Sequence, residues 1–401
     1  MERTQVLVVG AGPVGVIAAY RLALNGIDVV VLESEPTSRA DMRASTLHPP
    51  TIEMLFKLGV LETLEAQGLR APVYHYRNRR TGEVLAFDLG ELADVTRFPY
   101  RLQCEQFKVT RLLGPLIAQH PHGELRFSRH LIDFDQTSDG VEVKVEAPFG
   151  IERLKADYVI AADGANSLAR KLLGIPFEGF TYPEKFLTLS TAFPVEDAIA
   201  GLAWVNYVAD PDEWCVLLRV PEFWRVLVPA SEDVADAALL SDDKKTDVFR
   251  RLVGEAAAAS LRTDHRTIYR VHQRVAQTYR GGRVLLAGDA AHLNNPLGGF
   301  GMNSGVHDVW NLTDKLIAIY RAGGDADALL DLYDRQRRTV MHEFVQAQTI
   351  RNKRMLETAS ADAQIANQRE MEAILKDDER RRDYLMTQAM LKSVDRAALI
   401  S

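Results

Sequence analysis

The first 33 residues constrain this chain more than any other stretch. Gln5-Val6-Leu7-Val8-Val9 is a short β-rich run, followed at once by Gly10-Ala11-Gly12-Pro13-Val14-Gly15. Ala18, Ala19, Leu22 and Ala23 then share one helical face, Gly26 stops that helix, and residues 28–32 form a second strand ending at Glu33. The unit is βαβ, with G-x-G-x-x-G between strand and helix. Its glycines permit a tight turn, close backbone approach to a pyrophosphate, and close helix–strand packing, with the helix N-terminus facing the phosphates. Glu33 stands where an acid accepts hydrogen bonds from ribose hydroxyls. A bare G-x-G-x-x-G is a weak signal. With its strand, helix and acid in place, it specifies a dinucleotide site at Gly10, Gly12, Pro13, Val14, Gly15 and Glu33.

A second strand–loop–helix unit lies far downstream. The apolar run 284–287 reads as a buried strand ending at Gly288-Asp289, and Pro296-Leu297-Gly298-Gly299-Phe300-Gly301-Met302-Asn303 precedes a helical pattern carrying Val306, Trp310 and Leu312. One carboxylate and several backbone N–H groups thus meet at a helix N-terminus, where anionic or electron-rich groups bind. Between the two units, Tyr158-Val159-Ile160-Ala161-Ala162-Asp163-Gly164-Ala165-Asn166-Ser167, with Arg170, is a buried strand running into an Asp-Gly turn. Gln103-Cys104-Glu105-Gln106-Phe107-Lys108-Val109-Thr110-Arg111-Leu112-Leu113 opens a helix whose apolar side is Val109, Leu112, Leu113 and Leu116.

These segments, in this order, resemble the flavin motifs of the single-component (class A) aromatic hydroxylases, the group typified by para-hydroxybenzoate hydroxylase. The resemblance covers roughly residues 1 to 340. It implies an α/β fold: a Rossmann-like (GR2-type) FAD-binding domain with an inserted antiparallel β-sheet substrate domain and a helical C-terminus. The expected division assigns residues 1–72, 100–180 and 276–340 to FAD binding and 73–99 with 181–275 to substrate. Residues 341–401 form a C-terminal helical segment that packs or makes dimer contacts. FAD would be non-covalent, because no His or Cys stands at an attachment pattern.

By the same resemblance, Arg43 reaches the dinucleotide, Gln106 hydrogen-bonds the flavin side with Gln103 as a competitor, and Asp163 contacts the dinucleotide and the nicotinamide reductant. Asp289 holds the ribityl chain, while Pro296, Gly299, Gly301, Met302 and Asn303 bind the cofactor, the backbone N–H groups of Leu297 to Gly301 flanking the flavin ring. Two positions depart from the family pattern. Lys108 replaces a glutamate, and Asn295-Pro296 replaces two adjacent prolines; the Pro296 carbonyl keeps its expected place near a substrate hydroxyl. His48 either lines the flavin pocket or caps the helix starting near Thr51. The implied reaction uses NADH or NADPH and O₂ to hydroxylate a small, acidic phenolic or heteroaromatic ring through a flavin C4a-hydroperoxide. With a single G-x-G-x-x-G, no separate nicotinamide-binding domain is expected.

Residues 74–87 read as a hairpin turning at Thr81-Gly82, with Tyr74 and Tyr76 on one face, packing the sheet or facing a pocket. Residues 187–193, 204–208, 214–220 and 224–228 are apolar and aromatic runs separated by Pro-Asp or Pro-Glu turns, as in an antiparallel sheet. Every tryptophan except Trp310 lies there. Arg219 and Arg225 are the candidates to meet a carboxylate or phenolate, because arginine pairs bidentately with such groups. Tyr207 joins them as a candidate wall of the substrate site.

Composition limits the alternatives. A net charge of −7 over 401 residues argues against a nucleic-acid partner. Cys104 and Cys215 form no metal-ligand pattern, and two lone cysteines fit a reducing cytoplasm. No apolar run has the length of a signal peptide or a membrane span, so a cytoplasmic monomer or homodimer without a membrane partner is expected. The rival readings are a non-hydroxylating oxidoreductase of the same fold, such as a reductase or epoxidase, and a flavin-bound sensor.

Overall fold

The computed structural model describes residues 1–401 except Asp41, Arg43, Thr358 and Ala359. Five parallel strands form the core; the central ones carry apolar runs at residues 6–9 and 158–161 and through Val29–Leu32 and Val284–Leu286, a pattern that requires cover on both faces. Their order is Val284–Leu286, Gly150–Ala161, Glu2–Val9, Val29–Leu32 and Gly123–Arg126. In register, Val6 stands between Tyr158 and Val29, so the first strand is the centre of the sheet. The helices Pro13–Leu24, Gln106–Gln119 and Phe300–Ala322 cover it and bury Val16, Leu22, Leu113, Val309 and Leu312. A hairpin of His130–Thr137 and Gly140–Ala147, turning at Asp139-Gly140, continues antiparallel from the long strand Gly150–Ala161.

The second sheet has eight strands, in the order His292–Leu293, His265–Ala276, Phe177–Thr191, Trp224–Ser231, Cys215–Arg219, Val205–Ala209, Val73–Asn78 and Val84–Asp88. The apolar runs read from sequence are its central strands. One pairing departs from the antiparallel expectation: Val205–Ala209 lies parallel to Val73–Asn78, with Tyr207 opposite Tyr76. The 73–88 hairpin enters the sheet from a remote part of the chain, so its direction was not set by a tight turn. The strand Phe177–Thr191 also runs unbroken through residue 180, where one domain was expected to end.

One face of this sheet packs on Val248 and Phe249 from the charged helical region 242–260 and on Leu261 just after it. The other carries Tyr74, Phe87, Phe186 and Trp214, and it is covered by the C-terminal helices through Leu356, Met371, Ile374 and Leu385. The C-terminal segment is therefore a wall of the second sheet. Among the described residues, no helix is long and apolar enough to cross a membrane.

Candidate active site

A cavity of about 650 Å³ runs between the C-terminal ends of the parallel strands and the inner face of the second sheet. At its dinucleotide end the chain is glycine-tight. A Cβ at Gly15 would sit 1.9 Å from the Gly10 carbonyl oxygen, and Gly10 itself has φ +101°. At Gly12, by contrast, a Cβ would meet no protein atom, and this residue lines the cavity. Glu33 accepts the Ala11 N–H at 2.8 Å and the Glu35 N–H at 2.9 Å, which fixes the glycine turn against the second strand.

Asp163 lines the same cavity. One carboxylate oxygen accepts the Ala169 N–H at 3.1 Å; the other is buried without a partner among the described residues. The buried Arg170 donates to the carbonyls of Ala290 (2.7 Å) and Ala165 (2.9 Å), so it ties the Asp163 turn to the Gly288-Asp289 turn. Behind the latter stands Asp308, fully buried. It accepts Gly288 N–H at 3.1 Å, Arg337 Nε–H at 2.8 Å, and bonds His292 Nε2 at 2.7 Å. Burial alone would raise the Asp308 carboxyl, but His292 and Arg337 prevail and hold it down at about 2.

The loop before the Phe300–Ala322 helix is clamped from several sides. Asn295 accepts Leu297 N–H through its side chain at 3.1 Å and donates to the Thr349 carbonyl at 3.0 Å. This asparagine thereby holds Pro296 from the position where a second proline was expected. His48 bonds the Gly298 carbonyl through Nε2 at 2.8 Å. Burial, with Arg101 adding to it, holds this imidazole well below its ordinary range, so it is neutral and donates. His48 is also the residue preceding the Pro49–Lys57 helix, but its side chain does not cap it.

Asn303, expected to bind the cofactor, is placed otherwise. Its amide donates to the carbonyls of Thr46 (2.8 Å) and Gly299 (2.7 Å) while its oxygen accepts His48 N–H at 2.9 Å. It is a buried clamp behind the loop rather than part of the lining.

On the second sheet, period two separates the arginine candidates. Val216, Leu218, Arg225 and Leu227 line the cavity, whereas Leu217, Trp224 and Val226 point into the opposite core. Leu218 pairs with Arg225 and Arg219 with Trp224, so Arg219 falls on the far side. There it donates to the Val220 carbonyl at 2.9 Å and lies 3.9 Å from Glu196. The expectation that Arg219 meets substrate is therefore not carried forward. Arg225, 4% exposed, donates to Ser45 Oγ at 3.1 Å, and Tyr207 shares its cavity.

Gln106, Asp289, Pro296, Gly299, Gly301 and Met302 also line the cavity, as do Pro13 and Val14. Gln103 does not; its side-chain oxygen Oε1 accepts Thr46 Oγ–H at 3.0 Å. Arg43 lies outside the described residues. Sequence reasoning missed Asp308, Arg337 and Arg101. Each sits singly within an ordinary helical or strand pattern, and only the fold assembles their partners.

A glycine-tight βαβ turn and two carboxylate-bearing loops share one cavity with the aromatic sheet, which defines a dinucleotide-dependent oxidoreductase with a built-in substrate wall. The comparisons with known proteins agree. The family model described as FAD binding domain matches residues 3–348. Para-nitrophenol 4-monooxygenase of a Pseudomonas species is 34% identical over 382 residues, spanning 90% of this chain and 93% of that protein. The 6-hydroxy-3-succinoylpyridine 3-monooxygenase HspB of Pseudomonas putida is 32% identical over 364 residues, 88% of this chain and 89% of that protein. Among solved structures, the p-nitrophenol 4-monooxygenase PnpA from Pseudomonas putida superposes with a TM-score of 0.92 at 32% identity, covering 98% of this chain and 99% of that chain. The chain belongs to this FAD-binding family and is an FAD-dependent aromatic hydroxylase.

Proposed function

We propose that this enzyme hydroxylates a small, hydroxylated aromatic ring, a phenol or a hydroxypyridine, held between the Pro296–Gly299 loop and the inner face of the second sheet. One relative is named for a phenol and another for a hydroxylated pyridine. The single observation that carries the reading is the pairing of Arg225 and Tyr207 with the apolar side chains Val216, Leu218, Leu227 and Leu297 in one cavity. Such a lining stacks a flat ring and presents polar atoms at its edge.

The residues present fit FAD. Gly12, with open space where a Cβ would stand, and Asp163, with one buried oxygen unpartnered among the described residues, both line the cavity. The helices Pro13–Leu24 and Phe300–Ala322 start beside it, placing two N-termini where a pyrophosphate and an electron-rich ring edge gain from the dipole. In this proposal Gly12, Pro13 and Val14 meet the pyrophosphate, Glu33 the ribose, and Asp289 the ribityl chain. Gln106, Asp163, Gly299, Gly301 and Met302 border the remainder.

When bound, FAD supplies the redox chemistry by which O₂, at the expense of NADH or NADPH, places one oxygen atom on the ring and releases the other as water. The protein's part is to keep water out and the ring in place. The Asn295–Gly298 loop is fixed by His48, Gln273 and Thr349, and the Pro296 carbonyl, which already accepts the Gly299 N–H at 3.0 Å, is a rigid acceptor with one lone pair left over. Arg225 donates to an anionic or phenolic edge. The strands of the second sheet with the 73–99 hairpin form the substrate-facing division, and the parallel sheet with its helices the FAD-facing one.

The experiment is NAD(P)H oxidation by the FAD-loaded protein over a panel of phenols and hydroxypyridines. Stimulation by at least one phenol or hydroxypyridine, with a hydroxylated product, is expected. Oxidation indifferent to every aromatic would refute the assignment.

A further inference from the structure

The Ala326–Val340 helix continues through a π turn, Met341–Gln346, into the helix Ala347–Leu356. Such π turns inside α-helices concentrate at functional sites. Here three residues at steps of three hold three alternate residues of the loop before Phe300. Gln346 Nε2 donates to the Leu293 carbonyl at 3.0 Å, and the Thr349 carbonyl accepts Asn295 Nδ2–H at 3.0 Å. Asn352 Nδ2 then donates to the Leu297 carbonyl at 3.2 Å. The loop is thus fixed at three points along its length by one helix.

The last of these contacts is itself held from behind. Asn352 Oδ1 accepts Gln348 Nε2–H at 2.8 Å from one turn earlier. It also accepts Gln388 Nε2–H at 3.1 Å from the end of the helix Asp378–Gln388. Both glutamines are buried. Two donors on the amide oxygen leave the amide nitrogen to donate, and hydrogen bonds in such a chain strengthen one another. The Leu297 carbonyl belongs to the same peptide group as the Gly298 N–H. No peptide bond among the described residues is cis, so that N–H points away from Asn352. It has no acceptor among the described residues, and Gly298 lines the main cavity. The approach is close. A Cβ at Gly298, whose φ is +105°, would stand 2.8 Å from Asn352 Nδ2, so the contact depends on glycine there.

Resting on the reading that the flavin ring of bound FAD lies beside this loop, we propose that Asn352, set by Gln388, is a positioning residue that holds and polarises the Leu297–Gly298 peptide as a donor toward the flavin. The C-terminal helices thereby tune the reduction of the cofactor. Reduction adds negative charge to the ring, and a donor held ready at its edge favours the reduced form. Neither Asn352 nor Gln388 lines the main cavity; both act through the peptide.

The test is the two-electron reduction potential of FAD in the loaded protein, read anaerobically against a reference dye. Asn352→Ala should make it more negative, with reduction about tenfold less favourable, or about 30 mV. Gln388→Met keeps the Asn352–Leu297 bond and removes only its polarising donor, so a shift of about threefold in the same direction is expected. Because Gln388 acts through Asn352, the double variant should shift no further than Asn352→Ala. Oxidised FAD should bind nearly as in wild type, since the donor meets its full charge only on reduction. If Asn352→Ala does not fold, Gln388→Met carries the readout.

An unchanged or more positive potential in either variant overturns the proposal, as do additive shifts in the double variant. Loss of oxidised FAD from a folded Asn352→Ala would make the contact a purely structural support and equally overturn it. The placement of the flavin fails on a different result. Gly301→Leu, which adds bulk to the cavity lining, would leave FAD affinity and the visible flavin spectrum unchanged, and the proposal would fall with it. The hydroxylase reading fails separately, on the absence of aromatic-stimulated NAD(P)H oxidation.

Discussion

Arg219 and Arg225 stand one step out of phase across neighbouring strands, and that single step separates a cavity residue from a core-side one. Arg225→Ala should retain FAD yet lose ring orientation, and displacement by about 1 Å costs on the order of 100-fold in rate. The expected outcome is reducing equivalents diverted to H₂O₂, read as product formed per NAD(P)H consumed. Arg219→Ala should leave that ratio unchanged; uncoupling by Arg219→Ala would mean that the far side of the strand also governs the ring. Both arginines were visible in the sequence, but their faces depended on register, which is set by pairing with residues outside the run. A second residue-level expectation concerns pH. His307 is buried against Arg337, and burial first, then that charge, lowers it to about 3. The unfolded chain therefore takes up a proton near pH 6.5 that the folded chain refuses, so stability falls as pH falls from 6.5 toward 3. His48 acts in the same direction. Asp308, lowered to about 2 from an ordinary 3.8, contributes stability that is lost as pH falls from about 3.8 through about 2. Chemical denaturation at pH 7 and 5 should show His307→Gln losing about 2 kcal/mol less than wild type across that interval. Equal losses would place the histidine's proton elsewhere.

The helices Phe300–Ala322 and Ala326–Val340 do more than cover the sheet. The first supplies Asp308 and the second Arg337 and Tyr333, whose hydroxyl donates to the Leu286 carbonyl at 2.6 Å. Together they grip the strand Val284–Leu286 and the Gly288-Asp289 turn from behind. Asp289→Ala should lower FAD affinity by about 1.5–3 kcal/mol, the range for a hydrogen bond to a charged group. Asp308→Asn should lower it too, through the same turn, and the double variant should lose less than the sum of the two. Additive losses in a titration of FAD fluorescence would show that the buried network does not act on the turn. The existence of these helices was legible from apolar spacing, as was the βαβ unit, because both signals are local. The Asp308–Arg337 pair was not, since its members lie on different helices and each reads alone as an exposed polar position. The parallel pairing of Val205–Ala209 with Val73–Asn78 was hidden for the same reason.

Taken whole, the molecule divides its labour between a rigid glycine-tight sheet and an aromatic one, with the C-terminal helices closing the outer wall of the latter. The order of motifs along the chain made the first sheet readable, and the match of the FAD-binding family to residues 3–348 agrees with it. The C-terminal segment carried no motif, and its packing against Phe87 and the tyrosines of the 73–88 hairpin follows from tertiary contacts alone. The substrate wall was legible as a region but not residue by residue, because alternation gives two faces and the core claims one of them. The central claim is oxygen insertion into an aromatic ring, and the most direct measurement is turnover under ¹⁸O₂ with an accepted phenol, NAD(P)H and FAD-loaded enzyme. A hydroxylated product carrying one ¹⁸O atom from the gas, with the second atom in water, is the predicted result. Product oxygen drawn from water, or NAD(P)H consumption that yields only H₂O₂ with every aromatic offered, would contradict it.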